Sequence, residues 1–353
     1  MNMRLKTGIF LLFLLLLAGC SPRLAPTPPG LPATPTSLSI PTGFTQEQNA
    51  TLSSLRKVDD YPLYTMDYSG AYRPREAATS FEISPVVTST VPGWACSLFT
   101  VLLDDNLLYG RNFDWQFSPA LLLFTDPPDG YSSVSMVDIE FLGFDETIAK
   151  DIVNLPIGEQ TSLLDAPYLP FDGMNEHGLA IGMAAVPSGN MPPEANKETI
   201  GSLGIIRQIL DHARTVDEAV EIMQSYNIDF TDGPPLHYLI ADASGKSVLV
   251  EYYNGKMHVL ANEEPWHVAT NFLRSSVDDP DNGSYWRYNK ITAQLTETNG
   301  QIDTQAAMQL LSGVAQNNTQ WSVVYQMNDG KINVVMSQQY QDVYQFQLDL
   351  VSQ

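Results

Sequence analysis

Residues 93–115 read GWACSLFTVLLDDNLLYGRNFDW, and the fold turns on how this stretch is read. Two apolar runs, residues 98–103 and 106–111, flank Asp104-Asp105-Asn106, the pattern of two strands about a tight polar turn. Cys96 follows the small residue Ala95 and is one of only two cysteines in the 353-residue chain. Arg111 ends the second run, and Asn112 and Asp114 follow it, in an apolar context. Burying charge is costly unless it is paired. A guanidinium and a carboxylate beside a lone thiol therefore need a chemical reason. A thiol becomes a strong nucleophile when a base takes its proton or a positive charge stabilises its thiolate.

Outward from this hairpin, residues 134–144 alternate like a strand, and residues 179–186 read as a buried strand after the turn Asn175-Glu176-His177-Gly178. Helical patterns cover residues 202–213 and 215–226, the second with Thr215 and Glu218 at capping-box spacing. Strands at 237–241, 247–253 and 258–260 are joined by turns at Ser244-Gly245 and Asn254-Gly255, with a further strand at 267–270. Helices near 285–295 and 304–314 precede a meander over 322–350. Antiparallel strands with helices grouped apart predict a layered α+β fold rather than a doubly wound one.

The N-terminus carries address information. Arg4 and Lys6 precede an apolar run, residues 9–17, too short for a comfortable membrane span. Leu17-Ala18-Gly19-Cys20 resembles the lipobox of bacterial lipoproteins, which places a signal peptide at 1–19 and a lipid on Cys20. The expected location is then the outer face of the bacterial cell membrane, or the outer membrane. Residues 20–45 are rich in Pro, Thr and Ser, as in an extended tether. Residues 46–95 are not low-complexity: Tyr61, Tyr64 and Tyr68 alternate with polar groups like a strand, and Leu55 falls on a preceding helix pattern. This segment is either a propeptide or a retained small chain in non-covalent association with residues 96–353. With Cys20 lipidated, Cys96 has no disulfide partner, so an exported chain keeps one free thiol. The net charge of −22 argues against nucleic acid as a partner. From Cys96 onward only five arginines occur, so each is conspicuous.

Cys96 with Gly110-Arg111-Asn112-Phe113-Asp114-Trp115 resembles the start of the mature chain in choloylglycine hydrolases, N-terminal-nucleophile enzymes that include bile salt hydrolases and penicillin V acylases, with acid ceramidase-like amidases as relatives. The likeness continues through Asn175-Glu176-His177-Gly178, His237-Tyr238-Leu239-Ile240-Ala241-Asp242 and Ala269-Thr270-Asn271. It extends through Trp286-Arg287-Tyr288 and ends in Thr319-Gln320-Trp321-Ser322-Val323-Val324-Tyr325. It implies a four-layer α-β-β-α sandwich of two antiparallel sheets, in an amidase domain over residues 96–353.

The resemblance also implies roles. Cys96 attacks the carbonyl of Ala95, splits the chain there, and then serves as the N-terminal nucleophile. Asp114 orients it, Arg111 places positive charge by the sulfur, and Asn271 donates its amide to the oxyanion. Arg287 matches the family's late active-site arginine at an interval shorter than in bile salt hydrolases, which leaves Arg274 as a rival. Where bile salt hydrolases carry an asparagine and penicillin V acylases a tyrosine, this chain has Ala185, which keeps the backbone N–H for the oxyanion hole and loses the side chain. Asn175 reads as a turn residue.

Leu122 and Phe124, within the apolar run 121–124, are either core packing or a wall of an acyl pocket. The histidines show no metal-ligand spacing, and neither a cofactor nor a metal is expected. Residues 278–283 lack the twelfth-position glutamate of a calcium loop and read as a solvated turn. The leading expectation is a self-processing cysteine amidase acting on the linear amide of an N-acyl small molecule. An acyltransferase with an amine acceptor and a catalytically silent, ligand-binding lipoprotein are the alternatives.

Overall fold

A computed structural model describes residues 43–72, 95–103, 106–231, 233–278, 280 and 285–351. The signal peptide, Cys20, all but the end of the tether, residues 73–94 and most of the 278–283 turn lie outside the described residues. In chain order the strands are β1 Arg56–Asp59, β2 Leu63–Tyr68, β3 Ser97–Leu103, β4 Asn106–Asp114, β5 Ala120–Thr125 and β6 Ser133–Asp138. They continue as β7 Pro170–Asn175, β8 Ala180–Ala185, β9 Glu198–Gly201, β10 Tyr226–Asp229, β11 Leu236–Ala241 and β12 Ser247–Tyr253. The last are β13 Lys256–Ala261, β14 Trp266–Ala269, β15 Thr319–Gln326, β16 Lys331–Met336 and β17 Tyr344–Gln347. The α-helices are α1 Gln46–Ser53, α2 Gly204–His212, α3 Val216–Ser225, α4 Trp286–Glu297 and α5 Thr304–Val314.

Two sheets form the middle layers. The larger runs β1-β2-β5-β6-β7-β8-β11-β12-β13 and the smaller β14-β3-β4-β15-β16-β17, while β9 and β10 make a separate parallel pair. Within the two sheets neighbours are antiparallel except β2 and β5, which pair in parallel from Leu63 opposite Ala120 to Tyr68 opposite Thr125. The period-2 alternation of β3 explains the layering. Leu98 and Leu102 face the larger sheet, whereas Phe99 and Val101 pack under Ile291, Leu295 and Leu311 of α4 and α5. On the far side α2 and α3 lay Ile206, Ile209, Leu210, Val216 and Met223 against the larger sheet. The sheets approach closely at Gly182, where an added Cβ would lie 2.8 Å from the Tyr109 hydroxyl. Gly178 closes the β7–β8 turn at φ +72°, and any side chain there would strike the Met327 carbonyl.

Most expected elements form. At the start of α3 the Thr215 hydroxyl accepts the Glu218 N–H, as its spacing requires. One expected strand is shorter than its alternation. β6 stops at Asp138, whose side chain accepts the Glu140 N–H and starts a 3-10 turn over Ile139–Leu142, and Gly143 ends that turn in the left-handed region. Ile139, Phe141 and Leu142 therefore follow a helical turn rather than a pleat.

The N-terminal segment is built into the larger sheet. β2 adds Leu63, Tyr64, Met66 and Tyr68 to the core, and β1 extends the edge. Leu55 is buried just beyond α1, not on it. The tyrosines are fastened by hydroxyl donors: Tyr64 to Ala149 O at 2.7 Å, Tyr68 to Leu164 O at 3.1 Å and Tyr61 to Gln320 Oε1 at 2.7 Å. Tyr72 donates to Asp211 Oδ1 at 3.0 Å and lies under the Arg207 guanidinium.

Candidate active site

Cys96 lies one residue before β3, next to the C-terminal end of β4, because Ser97 pairs with Asn112 in the ladder. Its side chain joins the inter-sheet core and is 3 % exposed. The odd residues of β4 face the same core, so Arg111 arrives beside the sulfur, with Nη2 3.9 Å from Sγ. Arg111 is wholly buried. Its Nη1 donates to Phe171 O at 2.8 Å and to the Asp172 carboxylate of β7, which also accepts the Tyr325 hydroxyl. Its guanidinium sits 5.1 Å from the Phe113 ring centre. Asp172 thus supplies the counter-charge that an arginine buried between two sheets requires.

Asp114 ends β4 opposite Thr319 of β15, whose hydroxyl donates to Oδ1 at 2.5 Å. Oδ2 lies 3.9 Å from Arg287 Nη1 and is buried without a hydrogen-bond partner among the described residues. Burial lifts the Asp114 carboxyl to about 7, against the pull of Thr319, Arg287 and Arg111. Burial likewise pushes the Cys96 thiol up, while Arg111 draws it down. Burial thus favours the neutral thiol, with the sulfur held close to a cation.

The opposite wall comes from the connection after β14. Asn271 Oδ1 accepts the Cys96 N–H at 2.6 Å and an Arg287 Nη2 donor at 2.8 Å, while its Nδ2 donates to Ala185 O at 2.8 Å. A primary amide nitrogen carries two hydrogens, so Asn271 keeps a second donor for another oxygen. Ala185 ends β8 beyond the last registered pair of β7 and β8, Asp172 opposite Gly182. Its N–H and C=O, which point to one side of a strand, thus face the site's edge. Arg287, in the first turn of α4, reaches over β3 to the Cys96 carbonyl and to Ser97 Oγ at 3.0 Å. Phe272 stacks on Tyr285 at 3.9 Å between ring centres, closing the loop between Asn271 and Arg287.

The structure brings Cys96, Arg111, Asp114, Asn271, Ala185 and Arg287 together. Arg274 is not with them: its side chain lies 5.5 Å from the Tyr288 ring centre and its N–H donates to Glu251. Leu122 is wholly buried in the core and Phe124 packs at its margin. Asn175 is a turn residue, with Oδ1 accepting the N–H groups of His177 and Leu179 and Nδ2 tying the end of α2 through Leu210 O and Ala213 O. Three neighbours of the site go beyond the sequence expectations. Thr319 and Ser97 stand inside quoted stretches without an assigned part. Asp172 carries no expectation at all, although a lone aspartate in the apolar run PFDGM is itself a signal for a buried cation.

A family model described as linear amide C–N hydrolases, choloylglycine hydrolase family, matches residues 96–298. The chain belongs to this family, and the match begins at Cys96. A penicillin V acylase of Pectobacterium atrosepticum is 32% identical over 111 residues, 28% of this chain and 29% of that protein. An uncharacterized protein of Paramecium bursaria Chlorella virus 1 is 34% identical over 109 residues, 28% of this chain and 38% of the relative. Each match thus spans well under half of the relative's length. Among solved structures, a mutant conjugated bile acid hydrolase from Clostridium perfringens superposes with a TM-score of 0.51 at 17% identity, covering 71% of this chain and 92% of that one. The fold is the α-β-β-α sandwich of N-terminal-nucleophile hydrolases.

Proposed function

We propose that the protein is a self-processing cysteine amidase that hydrolyses the linear amide C–N bond of an N-acyl small molecule. The observation that carries this reading is the grip on Cys96. Its sulfur lies by Arg111 while its own backbone nitrogen is held by Asn271, so cleavage before Cys96 would free an α-amine in place beside the thiol. In the first step Cys96 Sγ attacks the Ala95 carbonyl carbon and the Ala95-Cys96 C–N bond breaks, leaving a thioester and the α-amine. Water then hydrolyses the thioester, releasing the Ala95 carboxyl. The new α-amine, with a reference pKa of about 7.7–8.0, can take the thiol proton near neutrality.

In turnover the thiolate attacks the substrate carbonyl, and Asn271 Nδ2–H with the Ala185 N–H receives the oxyanion. Such a donor typically lowers the barrier by about 3 kcal/mol. The α-ammonium returns its proton to the leaving amine, and water cleaves the acyl-enzyme. Arg287 holds the Cys96 carbonyl, the Asp114 carboxylate accepts a hydrogen bond from the freed α-ammonium and orients the nucleophile, and Arg111 stabilises the thiolate.

Residues 46–72 stay bound after the cut on this reading, because β2 contributes buried side chains worth roughly 1.5–3 kcal/mol each and a parallel ladder with β5. A lipid on Cys20 would then tether the active chain to the outer face of a bacterial membrane. A panel of conjugated bile salts, penicillin V, acyl homoserine lactones and N-acyl ethanolamines tests the activity. Amine or acid release from at least one, lost in Cys96→Ser, is expected. Equal release by Cys96→Ser would remove the assignment.

A further inference from the structure

Glu251 and His237 form a buried pair that the chemistry above does not use. They face each other across β11 and β12, one step beyond the registered pair Tyr238 and Val250. Both side chains are fully buried, with His237 Nδ1 3.1 Å from Glu251 Oε1. Glu251 also reaches across to the connection after β14, which belongs to the other sheet. Its Oε1 accepts the Arg274 N–H and its Oε2 the Ser275 N–H, each at 2.8 Å. An ionised carboxylate offers only acceptors, so all three partners donate to it. Burial raises the Glu251 carboxyl, but the bonds from His237 and Ser275 outweigh this and leave it below its ordinary value.

The place of this clamp gives it a consequence. Asn271 lies three residues before Arg274, on the same connection, and Phe272 N–H closes a tight turn onto Thr270 O at 2.9 Å. His237 stands opposite Ala184, the neighbour of the Ala185 whose carbonyl receives the Asn271 amide. The larger sheet therefore holds the Asn271 connection at two points: at Ala185 O through the side chain and at Glu251 through the backbone. Two such anchors leave little freedom for the amide that faces Cys96.

We propose that Glu251, braced by His237, is a positioning residue that sets Asn271 against Cys96 by clamping the backbone of residues 274 and 275. The proposal rests on the part given to Asn271 above. It is tested on the chain's own cleavage, which needs no identified substrate. First-order rates of splitting at Ala95-Cys96 are measured by intact mass for the full chain and for Glu251→Gln, Asn271→Ala and their double variant. Residues acting through one group are non-additive. Glu251→Gln is expected to slow splitting by about tenfold alone and by less than about twofold in the Asn271→Ala chain. Equal slowing in both backgrounds, or none in the wild-type background, would overturn the proposal. An Asn271→Ala chain that splits at the wild-type rate would instead remove the part given to Asn271. If Glu251→Gln does not fold, His237→Phe takes its place, with a smaller slowing and the same collapse expected. No slowing by His237→Phe, or the same slowing in both backgrounds, contradicts the proposal.

Discussion

The part of the site built on β4 and the part built on residues 270–287 hold the same cysteine by different means. Arg111 is fixed by register: β4 lies between β3 and β15, and the guanidinium is buried and neutralised by Asp172 across the sheets. Asn271 and Arg287 sit on a connection and on the first turn of α4, held to Cys96 by hydrogen bonds from outside the ladder. The first arrangement makes charge part of the core, so its loss should be felt in stability as well as chemistry. The second is added to a finished core, so its loss should be felt mainly in rate.

Substitutions on the two sides should separate accordingly. Asp172→Asn leaves Arg111 buried without its carboxylate, and uncompensated buried charge of this kind costs about 3–5 kcal/mol. Urea unfolding should show a loss of that order together with slower splitting. Asn271→Ala should lower kcat and the splitting rate by about 10²–10³-fold with a far smaller change in the unfolding midpoint. Reversed profiles, with Asn271→Ala the more destabilising, would erase the distinction.

The same difference explains what could be read in the sequence. β3, β4, α3 and α5 were legible because alternation, turn chemistry and capping are local. The Cys96, Arg111 and Asp114 set was legible because one hairpin carries it. Asn271 and Arg287 could be picked out only through the order of motifs, since no local pattern says that residue 271 folds back onto residue 96. Asp172 was hidden for the same reason: its partner is 61 positions away, between two sheets whose register the sequence does not print. The 139–142 turn escaped the strand pattern because a single Asp138 cap outweighs apolar alternation. The N-terminal strand was visible, yet its parallel pairing with β5 depends on chain crossing rather than composition.

A smaller effect probes the hairpin's end. In a Cys96→Ala chain, which cannot split, Asp114 holds its proton to about 7 when folded, against 3.8 ordinarily. The folded state then binds more protons between these values. The Asp114 contribution to stability is therefore full below about 3.8, shrinks as pH rises through the window and is gone above about 7. Asp138, lifted to about 8, acts in the same direction. Replacing Asp114 by Asn should flatten the fall in the urea midpoint between about pH 5 and pH 7 without abolishing the share from Asp138. An unchanged slope would mean that Asp114 is ionised throughout.

The central claim is that this fold cuts its own chain before Cys96. The direct measurement is a time course of intact mass on purified or cell-free-synthesised full chain at several protein concentrations. A chain beginning at Cys96 should appear with a first-order rate that does not change on dilution, and none should form from Cys96→Ser on the same time scale. Splitting that slows on dilution, or that proceeds equally in Cys96→Ser, would contradict the claim and assign the cut to another enzyme.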